Sequence, residues 1–112
     1  MKKIIVVVLF FSTTNLFGQC CLENNEFKAF FFNHIDNVEA YTLGRKNSQN
    51  EVVSWRMFKE SIDEIGNYCE VSYDEMSNYS FQYPNLSVFE SDKKKWLDWY
   101  EKNKCNDLKW IE

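Results

Sequence analysis

The chain has 112 residues with three Gly, one Pro, 18% aromatic residues and a formal net charge of -4. That length fits one domain, and so many aromatics exclude a disordered chain. Scarce turn residues disfavour an all-β scaffold, and the acidic balance argues against a nucleic-acid partner.

The chain opens on Met1-Lys2-Lys3, followed by an apolar run from Ile4 to Phe11. Ser12 to Asn15 is polar, and Gly18 is a small residue suited to a cleavage site. This order resembles a secretory signal peptide over residues 1–18, with a domain over 19–112. The run is too short to span a membrane, which takes about 20 apolar residues. Cleavage removes Lys2 and Lys3, which moves the net charge from -4 to -6. Gln19-Cys20-Cys21 also allows a lipid anchor at Cys20, although Gln19 is larger than the residue such signals favour before the cysteine.

The spacing predicts a helix over 25–43. Phe27, Phe30, Phe31, His34, Ile35, Val38 and Tyr41 recur at three- and four-residue steps, and Gly44 suits its end. A second helix is expected over 50–65. Ser48 and Glu51 form a capping-box pattern there, and Val52, Trp55, Phe58, Ile62 and Ile65 keep the helical step. The competing arrangement is a hairpin of 40–43 with 52–55. Ser72-Tyr73-Asp74-Glu75 can start a short helix to about Tyr79. A third main helix is expected over 91–104, with Ser91 as its cap and Trp96, Leu97 and Tyr100 facing inward. The tail carries Leu108, Trp110 and Ile111 and reads as a docked segment or short strand. The fold expected is all-α: a small bundle of three main helices and one short helix, stapled by disulfides.

The staples are Cys20, Cys21, Cys69 and Cys105, an even number in a chain read as exported. A ring between adjacent Cys20 and Cys21 is strained. The remaining pairings tie the mature N-terminus to both Cys69 and Cys105, each worth roughly 4 kcal/mol by loop entropy. No Cys-x-x-Cys or zinc spacing is present, so no metal or cofactor is expected.

Catalytic signals are few. His34 is the only His and lies in the middle of an apolar face. Asp63/Glu64 and Asp74/Glu75 are neighbouring carboxylates, and Glu60 shares a helix face with Glu64. Lys93-Lys94-Lys95 is the only basic run and suits a solvated face. No Gly-rich phosphate loop or nucleophile elbow occurs. Five aromatics fit no helical stripe: Tyr79, Phe81, Tyr83, Trp99 and Trp110. Aromatics without a packing role are enriched at binding surfaces. The expectation is a non-enzymatic, inhibitor- or immunity-like binding module of the bacterial cell envelope. It would be periplasmic or secreted, with a protein or glycan partner. A small carboxylate-dependent hydrolase and a lipid-anchored structural protein are the alternatives.

Overall fold

A computed structural model describes residues 22–72, 82–106 and 108. Three helices follow in order: α1 (Asn25–Leu43), α2 (Trp55–Gly66) and α3 (Leu86–Asn103). No strand occurs among the described residues. The expected leader, Cys20, Cys21, Tyr79, Phe81, Trp110 and nearly all of the expected short helix lie outside those residues.

α1 has the predicted bounds. Asn24 caps it, its side-chain oxygen accepting from Phe27 N at 3.0 Å. At the other end Gly44 takes the left-handed conformation, φ 69. There Gly44 N donates to Tyr41 O at 3.3 Å and Arg45 N to Ala40 O at 2.9 Å. These two bonds satisfy carbonyls that a helix end leaves open. Residues 40–43 are helical, so the alternative hairpin is not formed.

α2 begins later than the capping box predicts. The competitor is Asn47, whose side-chain oxygen accepts Gln49 N at 3.0 Å and Glu51 N at 2.9 Å. Those bonds hold residues 47–51 in a turn, with Asn50 at φ 65, outside helical geometry. Ser54 caps α2 instead, accepting from Met57 N at 3.2 Å. Gly66 is the last helical residue and Asn67 follows in right-handed geometry, so no left-handed glycine ends this helix.

α3 starts five residues earlier than Ser91 suggests. Asn85, straight after Pro84, accepts Val88 N at 3.1 Å and becomes the cap. Pro84 precedes the helix, where its missing N–H costs nothing. Ser91 and Asp92 therefore lie inside the helix, and Asp92 is buried rather than decorating an end.

The core forms between α1 and its two neighbours. Phe27, Phe31, Ile35 and Val38 of α1 meet Phe58, Ile62 and Ile65 of α2 and Phe89, Trp96 and Tyr100 of α3. Burying a large side chain contributes about 1.5–3 kcal/mol, so these rings dominate the stability. Trp96 is fully buried, and its indole N–H donates to Glu70 O at 2.9 Å. The chain before α3 is fastened by the Asp92 carboxylate. It accepts Ser72 N at 2.9 Å, Ser72 Oγ at 2.7 Å and the Tyr83 hydroxyl at 2.7 Å.

The two ends of the described chain meet. Tyr100 OH donates to Glu23 at 2.8 Å, and Asn24 Nδ2 donates to Leu108 O at 2.8 Å. Leu108 packs partly against the core, in keeping with a docked tail. Cys105, near this junction in sequence, is disulfide-bonded. Cys69 differs from the bridge expected of it: it carries a free thiol, half-buried against the core. Burial pushes that thiol up to about 12, which leaves it protonated and unreactive at neutral pH. No disulfide pair is seen among the described residues.

Candidate functional site

The residues with the most suggestive chemistry lie between α1 and α2. His34 Nδ1 is 2.8 Å from Ser61 Oγ, and Asn37 Nδ2 donates to the same oxygen at 3.3 Å. Asn47 Nδ2 reaches back to Asn37 Oδ1 at 2.8 Å and to Glu51 Oε1 at 2.9 Å. A serine–histidine pair is the start of a nucleophile arrangement. Here, however, Ser61 is 1% exposed, and its hydroxyl is occupied from two sides. No substrate carbonyl reaches an atom so enclosed. Burial lowers the His34 pKa, even though the charges of Glu64 and Glu60 act to raise it. The imidazole is therefore neutral at pH 7 and joins two helices as a hydrogen-bonding bracket.

Several carboxylates are matched to cations. Glu39 meets Lys93 at 3.1 Å and Arg45 at 3.5 Å, while Asp63 meets Lys59 at 3.1 Å. Burial acts to raise the Asp36 pKa. Hydrogen bonds from Ser48 and from the Arg45 guanidinium outweigh it and hold the carboxyl below its ordinary range. Asp74 and Glu75 lie outside the described residues. No group of three His, Cys, Asp or Glu side chains is placed to hold a metal ion among those described.

Two of the five singled-out aromatics are described: Tyr83 lies in the core and Trp99 packs partly against it. Tyr83 is 7% exposed, with its ring 5.6 Å from Phe89. Trp99 is half-buried, 5.3 Å from Phe31 and 5.6 Å from Tyr68. Tyr83 is enclosed, whereas Trp99 keeps part of its surface accessible. Both missed a helical stripe because the surface they cover belongs to other elements. Tyr83 precedes α3, and Trp99 fills the angle between α1 and the Tyr68 turn.

Exposure falls elsewhere. Asn47 folds the connector into a tight turn, and the chain leaves it as Glu51-Val52-Val53-Ser54 before α2 begins. Val53 turns inward, whereas Val52 is 75% exposed. Trp55, the first residue of α2, is 46% exposed, with the Arg56 guanidinium 5.9 Å from its ring. Val52 and Val53 also line a depression of about 320 Å³ with Ala40, Tyr41, Gly44, Arg45 and Lys46. An apolar wall, an exposed indole and two cations at the rim make a surface suited to contact. Periodicity hid this site, since Val52 and Trp55 fit the inward stripe of a longer α2. The sign that could have revealed it is Asn47, a strong turn former just upstream.

No protein family, curated protein or solved structure matches this chain. No helix among the described residues is long and apolar enough to cross a membrane.

Proposed function

We propose that this chain is a small exported binding module of the cell envelope. In this reading it works by contact rather than by chemistry, in the manner of an inhibitor or immunity protein. The supporting observation is exposed Val52 lining the Tyr41–Arg45–Lys46 depression, with half-exposed Trp55 three residues further along the chain. Trp, Tyr and Arg dominate the energetics of protein interfaces, and here they gather at one end of a rigid helix pair. The polar bracket between α1 and α2 fixes that pair in register, so partner binding orders little additional chain.

Export is supported by the leader-like start, and a disulfide at Cys105 suits an oxidising compartment. With Cys69 free, the partner assigned to Cys105 in this reading is Cys20 or Cys21. The contacts Glu23–Tyr100 and Asn24–Leu108 favour that pairing. Its loop of about 85 residues would contribute roughly 4 kcal/mol.

The test is affinity capture from envelope extract with the exported protein as bait. The expected result is a partner held by the native chain and lost with Trp55→Ala or Val52→Ser, both folded by circular dichroism. Capture unaffected by either substitution would refute the assignment of this surface. The intact mass tests export itself: a species beginning at Gln19 without lipid is expected, and a retained leader would contradict it.

A further inference from the structure

A second groove lies between α1 and α3. Leu86, Leu97 and Leu43 are 46%, 36% and 47% exposed, and they line one groove with Phe89. Exposed leucines that share a groove are unlike scattered surface leucines, which need no explanation. Glu39, Glu90, Lys93, Lys94 and Asp98 complete the lining.

The α3 side of this groove reads the same way in both directions. Leu86, Glu90, Lys93, Lys94 and Leu97 fall on one face at helical spacing. Place a second α3 antiparallel across it, with the two-fold axis near residues 91–92. Leu86 then faces Leu97 of the other copy, and Glu90 faces Lys93 and Lys94. The two leucines are 11 residues apart, three turns of helix, so both apolar contacts and both ionic contacts form together. An interface around a two-fold must be self-complementary in this sense. Lys93 is held by Glu39 within the chain at 3.1 Å, so Lys94 is the cation open to Glu90 across the axis. Glu90 makes no ion pair among the described residues, and the Lys94–Asp98 pair is solvent-exposed, with side chains 78% and 56% accessible. An exposed pair of that kind is weak and exchanges partners at little cost.

We infer that the α1–α3 groove is a self-association surface, occupied by a second copy of this chain through antiparallel α3 helices. The α3 side of this groove contributes no residue to the depression beside Val52, so its association is tested independently of what that depression binds.

Sedimentation of the purified protein from about 10 μM to about 1 mM should show a reversible monomer–dimer equilibrium. Glu90→Lys and Lys94→Glu should each raise the dissociation constant about tenfold, since each puts like charges opposite one another twice. Mixing the two variants should restore association as a heterodimer near the native affinity, because each then supplies what the other lacks. Leu97→Ala should weaken association with the helical signal retained. A native protein that stays monomeric across this range overturns the inference. So does a dimer indifferent to both charge variants, or a mixture that fails to associate.

Discussion

α1 is held in two different ways along its length. Near its start, Phe27 and Phe31 meet Tyr68, Trp99 and Tyr100 as rings, with centroids 5.2–6.3 Å apart. Further along, His34 and Asn37 meet Ser61 and Asn47 through hydrogen bonds, in a seam where Asn37, Asn47 and Ser61 are all buried. Rings give area and therefore stability, but they tolerate small slides. A hydrogen-bonded chain adds about 1 kcal/mol per bond and tolerates no slide, because a displaced donor is left buried and unpaired. The aromatic end supplies stability, and the polar end fixes register.

Removing a ring should cost most. Trp96→Ala deletes a fully buried indole and its bond to Glu70 O, and should lower unfolding stability by about 3–5 kcal/mol in a urea titration. An effect below about 1 kcal/mol would mean that ring burial does not dominate the stability. Asp92→Ala should come next, at about 2–3 kcal/mol, since it leaves Ser72 and the Tyr83 hydroxyl without their acceptor. Protease cleavage between α2 and α3 should rise in parallel.

Acid probes the polar half. The folded pKa of His34 lies below the unfolded value near 6.5, so the unfolded chain takes up its proton first as pH falls. Stability should be constant in this respect above pH 6.5, then decline as pH drops toward the folded pKa. Ser61 occupies Nδ1, the Phe30 ring stands edge-to-face with centroids 4.8 Å apart, and Glu60 and Glu64 temper the loss without abolishing it. His34→Gln should remove that part of the slope below pH 6.5. An unchanged slope would show that the seam does not sense acid through His34. Smallest of all, Lys59→Ala breaks an exposed pair with Asp63 and should change stability by under about 0.5 kcal/mol.

How much of this was legible in the sequence follows from the same contrast. α1 was readable throughout, because a seven-residue stripe at helical spacing and a terminal Gly agree with one another. The starts of α2 and α3 were not, because each rests on a competition between caps. Ser48 against Ser54 is decided by Asn47, whose side chain captures the amides a helix would need. Ser91 against Asn85 is decided upstream, where Asn85 meets Val88 N first. The candidate surface went unseen for the same reason. Once α2 begins at Trp55, Val52 leaves the stripe and stands in solvent. His34 was correctly placed on an apolar face, but its partner Ser61 has no signature a linear pattern could reveal.

The bond between Asn24 and Leu108 has a practical corollary. It joins residues 84 positions apart, so both described ends emerge at the foot of α1. Gly44 and Val52 lie at its head, about 28 Å away along a helix of 19 residues. The molecule therefore has a pole for tethering and a pole for display. Val52, 75% exposed, stands at the display pole, a helix length from the Asn24–Leu108 junction.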